Sequence, residues 1–522
     1  MFDWLIRNAL IVDGTGSSPY RGDVGIQADR IAAVGPLSEA PTARAIDAGG
    51  RALVPGFVDM HSHSDVLLFN GESLAHKITQ GVTLELVGQD GISLAPVTEF
   101  SAPHLADLME PLAGRLAVPW KAWDTAGLFD CMRTGGVPVN VATLVGHCNL
   151  RLAAMGHKMA VPSPVELEEM ARLLAAALDQ GAVGLSLGLI YPPSSYSETA
   201  ELVRLARVVR EKDGILIAHI RNEQDSLFEA LSELISVGRQ SGCRIQVSHL
   251  KCMGKKQWGR MAEVLGLLER AAREGVDVSF DQYPYDASCT SLSILLPGWA
   301  MEGGWEAFRP RLQDPEARKS ILSALAKSIE NRGGGAFITI ASVSRSENRG
   351  WVGKNLAGIA RLEGLPDEEM ALRILDAEAS QAVAIYHAIE EEDVERAMAH
   401  PFHTVGSDGI LGAFPHPRAY GTFPRMIHHF CGEKRLFPLE EAVRRMTSAP
   451  AGRLRLKDRG RIGPGAFADL LLFDPARFRD HATYQNPTAP STGLDWVFVN
   501  GQALVEDGKL LEVRPGRVLR RS

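Results

Sequence analysis

The amino-acid sequence predicts an α/β protein: a (β/α)8 barrel of the TIM type, with a small β-sandwich domain built from both chain termini. Three observations predict this fold. Apolar runs alternate with amphipathic helical segments through the middle of the chain. Both ends hold short strand-like runs with glycine turns, and histidines and aspartates recur where apolar runs end. Repeated βα units indicate a parallel sheet buried on both faces, and eight such runs favour a closed barrel.

The predicted β-sandwich domain consists of residues 1–55 and 456–522. In segments such as GDVGIQADRIAAVGP and LDWVFVNGQALVEDGKLLE, apolar residues alternate with polar ones and glycines mark the turns. Because both ends share this β-rich pattern and flank a long α/β middle, we expect them to pair in one domain.

The predicted barrel covers residues 56–455. Its helices have a clear helical spacing of apolar residues, as in PVELEEMARLLAAALDQG, which ends in a glycine. Residues 287–347 hold no unit that continues the barrel, and we predict that they form an insertion between the seventh and eighth strands. The eight predicted strands lie, in order, in RALVPGFVDM, VTLELVG, PVNVATLVGH, AVGLSLGLIY, ILIAHI, CRIQVSHL, VDVSFDQYPY and HTVGSDG.

The amino-acid composition and net charge of the chain argue against several classes of protein. The chain has 522 residues, 45% hydrophobic and 23% charged, with a net charge of −8, so neither a nucleic-acid partner nor a membrane surface is predicted. No signal peptide and no apolar run of about 20 residues is seen. The cysteines are scattered without a CxxC motif, which predicts reduced thiols and a cytoplasmic location. They are Cys131, Cys148, Cys243, Cys252, Cys289 and Cys431.

Two histidines follow the first predicted barrel strand. His61 and His63 stand two residues apart in PGFVDMHSHSD. Because side chains two apart on a strand point to the same side, both imidazoles can bind one ion. A lone histidine is usually a core or surface residue, but this pair has counterparts at later strand ends.

Three further strand ends carry a candidate ligand: His219 in LIAHIRNE, His249 in IQVSHLK and Asp408 in TVGSDG. Asp90, in LVGQDG at the end of the second strand, is the candidate bridging ligand if two metal ions bind. A role in an Asp-Gly turn is the alternative for both aspartates. Glu85 lies inside its strand and is not expected to be a ligand.

Imidazoles and carboxylates that converge at the strand ends of a barrel make a site for zinc-like divalent ions. A bound ion lowers the pKa of water from about 15.7 towards about 7 and polarises a carbonyl oxygen. Asp408 is then the candidate catalytic residue, which takes the proton of the water and carries it to the leaving nitrogen. The pattern predicts a hydrolase with one or two divalent metal ions, zinc being the first choice.

The motifs PGFVDMHSHSD, GVTLELVG and VGSDG resemble the amidohydrolase superfamily. SLGLIYPPSSYS, DQYPYDASCTSL and PHPRAYGTFPR narrow the resemblance to the N-acyl-D-amino-acid deacylases, or D-aminoacylases, over nearly the whole chain. The resemblance implies zinc-dependent hydrolysis of an N-acyl-D-amino acid to a carboxylate and a free D-amino acid. One departure stands out: where these deacylases usually have GNCG with a cysteine ligand, this chain has GQDG with Asp90. Carboxylate oxygen is a harder ligand than thiolate, so a change in metal preference is expected.

An N-acyl amino acid is a small molecule with a carboxylate, which a guanidinium can bind bidentately. Arg418 in PHPRAYG matches the arginine that binds this carboxylate in the family, and Lys251 is also implied as a substrate contact. Tyr191, Tyr283 and Ser288 are candidate hydrogen-bond donors to the substrate. A packing or surface role is the alternative for each of these residues.

Other interpretations remain open from the sequence alone. Arg221 and Glu223 could form a structural ion pair, and His147 could lie just behind the ligands. A related amidohydrolase that acts on a dipeptide or a cyclic amide is the main alternative function. A barrel that binds a ligand without catalysis is the alternative from another class. A homo-oligomer is compatible with the sequence.

Overall fold

The computed structural model describes residues 1–520. Its strands are β1 (Phe2–Ile11), β2 (Tyr20–Gln27), β3 (Arg30–Gly35), β4 (Thr42–Asp47), β5 (Ala52–Pro55), β6 (Phe57–Asp59), β7 (Val82–Val87), β8 (Asn140–Gly146), β9 (Gly184–Gly188), β10 (Ile215–His219), β11 (Arg244–Val247), β12 (Val278–Gln282), β13 (Ser288–Ser291), β14 (Ile338–Ser342), β15 (Val383–Tyr386), β16 (His403–Val405), β17 (Leu470–Phe473), β18 (Leu494–Val499), β19 (Gln502–Glu506) and β20 (Lys509–Leu510).

The α-helices are α1 (Asp65–Asn70), α2 (Ala75–Ile78), α3 (Ala102–Ala113), α4 (Thr125–Gly135), α5 (His147–Met155), α6 (Pro164–Asp179), α7 (Thr199–Glu211), α8 (Leu227–Ser241), α9 (Met261–Arg273), α10 (Trp305–Arg311), α11 (Pro315–Asn331), α12 (Leu356–Glu363), α13 (Asp367–Ala377), α14 (Glu391–Ala399), α15 (Arg418–Arg425), α16 (Leu439–Met446) and α17 (Ser448–Arg453). No helix within residues 1–520 is both long and apolar enough to cross a membrane.

Eight strands form the predicted parallel barrel, in the order β6, β7, β8, β9, β10, β11, β12 and β16. The barrel closes between its first and last strands. The Met60 N–H donates to the carbonyl oxygen of Val405 at 3.1 Å, and Ser62 forms a parallel bridge with Gly409. Every residue of the eight strands is buried, as expected when helices cover the outer face and side chains fill the interior. The predicted barrel is therefore confirmed.

Helix α6 illustrates how the sequence fixes the helices around the barrel. Ser163 caps its first turn by accepting the N–H of Glu166, and the Glu166 side chain accepts the Ser163 N–H in return. A proline follows the cap, where its missing N–H costs nothing. The buried residues Met170 and Leu174 recur at helical spacing and face the barrel.

Both chain ends contribute to one nine-stranded sheet, as predicted. Strand β5 pairs with β1 on one side and with β17 on the other, so the N-terminal and C-terminal strands are joined directly. The sheet curls around one apolar core that includes Trp4, Ile46, Trp496 and Phe498, which gives the predicted β-sandwich.

The segment between the seventh and eighth barrel strands is longer than predicted. Strands β13, β14 and β15 form a three-stranded antiparallel sheet, on which helices α10 to α13 build a separate apolar core. The insertion therefore does not end near residue 347. It continues to β15, because Val383–Tyr386 pairs with both other strands of this sheet.

Candidate functional site

The six predicted ligand residues come together at the carboxyl ends of the barrel strands. All six side chains are buried. They form two groups whose ligand atoms lie within 4.8 Å of one another. One group contains His61, His63, Asp90 and Asp408, and the other contains Asp90, His219 and His249.

Asp90 lies at the centre because it belongs to both groups. Its Oδ1 lies 3.6 Å from Nε2 of His61, 3.8 Å from Nδ1 of His219 and 3.6 Å from Nε2 of His249. Its Oδ2 lies 3.7 Å from Nε2 of His63. A carboxylate in this position can offer one oxygen to each of two ions.

The polar atoms at the centre fit a metal ion. Within residues 1–520, three of the atoms that face Asp90 or belong to it are buried without a hydrogen-bond partner: Nε2 of His61, Nδ1 of His219 and Oδ1 of Asp90. Buried polar atoms are normally satisfied, so several unsatisfied ones facing a common point call for a ligand. Imidazole nitrogens and carboxylate oxygens are the atoms that zinc-like ions bind.

The electrostatics keep both aspartates in the form that can bind a cation. Burial alone would raise the pKa of Asp90, but His61 and the other histidines hold that pKa well below its usual range. Burial likewise opposes ionisation of Asp408, but Arg418 and His61 lower the pKa of its carboxyl. Both carboxyls are therefore ionised at neutral pH, as metal binding requires.

Three ligand residues adopt a left-handed backbone. The φ angle is 54° at Asp90, 33° at His249 and 49° at Asp408. A positive φ is uncommon for residues other than glycine, although aspartate and histidine adopt it more often than most, and such positions cluster at functional sites. The neighbouring strand leaves room only for glycine: a Cβ on Gly188 would lie 1.9 Å from the Asp90 carbonyl oxygen.

Two carboxylates that the sequence did not identify as part of the site orient its imidazoles. Asp281 lies 3.3 Å from Nδ1 of His61, and it also accepts the backbone N–H of His249 at 2.9 Å. Glu223 lies 3.2 Å from Nδ1 of His249. The contacts to Nδ1 of His61 and of His249 are on the ring nitrogen opposite the one that faces Asp90, the arrangement that outer carboxylates adopt around metal-binding histidines. A signal was available for Asp281, since it is an acid at the end of the apolar run VSFDQ.

The alternative ion pair between Arg221 and Glu223 is wrong. Arg221 instead contacts Glu233 of helix α8 at 2.9 Å, while Glu223 accepts a hydrogen bond from Lys251 at 2.5 Å. His147 has partners of its own: its Nε2 lies 2.8 Å from Glu201, its Nδ1 lies 2.6 Å from Ser194, and burial lowers its pKa.

A fully buried lysine lies beneath the ligands at the closing seam of the barrel. Lys77 Nζ lies 2.6 Å from Asp59, 2.7 Å from Ser407 Oγ and 3.2 Å from Glu85. Asp59 in turn accepts the backbone N–H of His61 at 3.2 Å and of Ser407 at 2.8 Å. This network joins the segment that carries His61 and His63 to the segment that carries Asp408. Glu85, which was not expected to be a ligand, is held in the same network by Lys77.

A cavity of about 550 Å³ opens onto the site. Asp90, His219, His249 and Asp408 line it, and so do three predicted substrate contacts: Lys251, Tyr191 and Ser288. The Tyr191 hydroxyl is 2.7 Å from Thr290, whereas the Ser288 hydroxyl has no partner within residues 1–520.

The other two predicted substrate contacts are completely buried. Arg418 contacts Asp408 Oδ2 at 2.9 Å and donates to the Cys289 carbonyl at 2.8 Å. Its guanidinium carbon lies 4.4 Å from the ring centre of Tyr283, whose hydroxyl has no partner in the described chain. Arg418 can therefore reach a substrate only if its contact with Asp408 loosens.

Comparison with known proteins supports one family. The chain is 40% identical to the N-acyl-D-glutamate deacylase of Alcaligenes xylosoxydans xylosoxydans over 99% of this chain and 96% of that protein. The structure matches a Bordetella bronchiseptica N-acyl-D-glutamate deacylase solved with zinc and a phosphonate inhibitor, with a TM-score of 0.86, 37% identity and full coverage of both chains. It also matches a D-aminoacylase studied for the role of its binuclear metal centre, with a TM-score of 0.85, 34% identity and full coverage of both chains.

Residues 44–505 match the model of the amidohydrolase family. This range includes the whole barrel with its ligand groups and most of the β-sandwich. The alternative of a barrel without catalytic function is not retained, because the relatives are hydrolases along their full length. The chain therefore belongs to the amidohydrolase family, as a hydrolase of amide bonds.

Proposed function

We propose that the chain is a metal-dependent deacylase that hydrolyses N-acyl-D-amino acids to a carboxylate and a free D-amino acid. The observation that carries the proposal is the pair of ligand groups that share Asp90 at the mouth of the barrel. The three full-length curated relatives, which are deacylases of N-acyl-D-glutamate, D-amino acids and N-acyl-D-aspartate, support the substrate class.

We assign the metal site to zinc, as one or two ions. His61, His63 and Asp408 would hold one ion and His219 and His249 the other, with Asp90 between them. A bound zinc ion supplies a water of lowered pKa and polarises the scissile carbonyl. Asp281 and Glu223 keep the imidazoles oriented through their outer nitrogens.

Asp408 is the proposed catalytic base. Its carboxylate is ionised and lines the cavity, and it lies 3.1 Å from Nε2 of His63. It can accept a proton from the attacking water and pass that proton to the nitrogen of the leaving amino acid. The bond that breaks is the amide C–N bond, and the new C–O bond completes the carboxylate product.

We propose that the substrate carboxylate is held on the wall formed by Lys251 and Ser288, with Tyr283 and Arg418 behind it. The unpartnered hydroxyls of Ser288 and Tyr283 are free to donate. Arg418 would become available to the substrate if its contact with Asp408 Oδ2 were released. All six cysteines are free, which is consistent with the proposed cytoplasmic location.

Amine release from matched panels of N-acetyl-D- and N-acetyl-L-amino acids tests this function. The protein is analysed for metal, stripped, and assayed with and without added zinc. We expect cleavage of D-substrates that depends on zinc. Zinc-loaded protein that cleaves dipeptides or cyclic amides but no N-acetyl-D-amino acid would contradict the proposal and support the alternative function.

A further inference from the structure

One wall of the cavity is apolar and has no part in the chemistry described above. Three residues of helix α3 line the cavity at helical spacing, Leu108, Pro111 and Leu112, so one face of this helix is turned towards it. Ile92 and Leu189, from the loops after strands β7 and β9, line the same cavity. We call these five residues the apolar wall.

The apolar wall begins beside the metal ligands. Ile92 stands two residues after Asp90, and the N–H of Leu189 donates to the carbonyl oxygen of His219 at 3.0 Å. The proposed contacts of the substrate carboxylate come instead from the loop after β11 and from strand β13 of the insertion. A substrate with its carboxylate there and its scissile carbonyl at the ligand groups has its acyl group beside the apolar wall.

The cavity is larger than an acetyl group needs. Its volume of about 550 Å³ is in the range of pockets that enclose drug-sized ligands. An acetyl group ends in a single methyl, which covers only a small part of the apolar wall. Leu108 and Pro111 are half-buried and keep contact with water in that case. A longer alkyl chain would cover them, and each of its methylenes would gain free energy by leaving water.

Apolar surface continues from the cavity to its mouth. Phe100, just before helix α3, is 62% exposed, and its ring centre lies 5.9 Å from that of His104, which lines the cavity. Trp299 of the insertion is 39% exposed and directly follows Gly298, another residue of the cavity lining. An alkyl chain too long for the cavity can therefore extend along exposed aromatic rings.

We propose that the apolar wall binds the alkyl chain of the acyl group, so that the preferred substrates are N-acyl-D-amino acids with unbranched acyl chains of octanoyl length or longer. The inference rests on the proposed deacylase function and names the class of acyl group. The five residues of the wall carry no charge, so the chain is recognised by burial of its methylenes and not by hydrogen bonds. The bond that breaks is still the amide C–N bond.

A series of acyl groups on one D-amino acid tests the proposal with the unmodified, zinc-loaded enzyme. The N-acetyl, N-butanoyl, N-hexanoyl and N-octanoyl derivatives are compared by amine release, below the concentrations at which they form micelles. We expect kcat/KM to rise about 2- to 4-fold for each added methylene, since each buried methylene contributes a similar free energy. A flat series, or a fall beyond butanoyl, would overturn the proposal and leave the deacylase function standing. Absence of cleavage throughout would overturn both.

A second series distinguishes the acyl group from the amino-acid side chain. Here the acyl group stays acetyl, and the side chain lengthens from D-alanine through D-norvaline and D-norleucine to D-2-aminooctanoate. We expect a smaller gain in kcat/KM per methylene than in the acyl series. An equal or larger gain would assign the apolar wall to the amino-acid side chain and overturn the proposal.

Two variants and a control assign the effect to the apolar wall. Leu108→Gln should lower the ratio of kcat/KM for octanoyl over acetyl by about 10-fold, because the chain would then have to cover a polar amide. Phe100→Ser, at an exposed position where the fold is not at risk, should lower the ratio for dodecanoyl over octanoyl. Leu362→Gln is the control, because Leu362 is 77% exposed on helix α12. If both ratios stay at the values of the control, the apolar wall does not bind the acyl chain.

Discussion

Replacing Lys77 by methionine should strongly destabilise the protein. The ammonium group lies 2.6 Å from Asp59 and 3.2 Å from Glu85, and all three side chains are completely buried. Methionine keeps most of the volume but leaves two carboxylates facing each other without a cation. Removing one partner of a buried ion pair typically costs about 3–5 kcal/mol, and we expect the upper part of that range here.

The same variant should weaken metal retention, because Asp59 holds the backbone N–H groups of His61 and Ser407. Urea unfolding followed by tryptophan fluorescence measures the stability, and metal content after dialysis measures the site. Lys212→Met is the matched control: Lys212 forms an exposed ion pair with Asp179 at 2.5 Å, and its loss should cost less than about 1 kcal/mol. If Lys77→Met unfolds at the same urea concentration as the control, the reasoning is wrong.

Three further outcomes are expected. Asp408→Asn should lower kcat by at least about 100-fold without unfolding the protein, because an amide cannot accept the proton. The control variant Asp458→Asn, at an exposed aspartate, should leave kcat unchanged. Near-normal turnover by Asp408→Asn would exclude Asp408 as the catalytic base. Asp90→Cys should bind zinc more tightly and manganese less tightly, measured by competition against a chelator, because thiolate is the softer ligand. Burial, with a smaller effect of Lys77, lowers the pKa of His76 from 6.5 to about 3. The folded state therefore loses stability as pH falls from 6.5 towards 3, and His76→Gln should make that acid unfolding less steep; an unchanged pH profile would contradict this.

The barrel and its ligands were predictable because their signals are local. Each strand is a short apolar run followed by an amphipathic helix, and each candidate ligand directly follows its own run. Because all strands of a parallel barrel end at the same face, the sequence alone then predicts that these candidate ligands lie close together. For the same reason, Asp90 could be identified at the end of the second strand although it departs from the usual cysteine of similar deacylases.

The partners of those ligands were not predictable because they depend on tertiary packing. Lys77 stands in AHKITQG, where nothing distinguishes it from a surface lysine, yet it is completely buried. Arg221 forms its ion pair with Glu233 and not with Glu223, because helix α8 places Glu233 next to the guanidinium group of Arg221. The extent of the insertion was missed since β15 is only four residues long and its partner β13 lies far earlier in the chain.

The pairing of β5 with β17 has a consequence for biosynthesis. Leu53 and Leu472 are register partners. At a synthesis rate of about 5–20 residues per second, the ribosome needs about 20 to 80 seconds to make the chain between them. During that interval β1 pairs with one edge of the apolar strand Ala52–Pro55, but the edge that β17 will occupy stays open unless a chaperone covers it. Slow translation of the barrel therefore lengthens the time in which nascent chains can associate through this edge, and aggregation during expression should respond to translation speed more than to the stability of the finished enzyme.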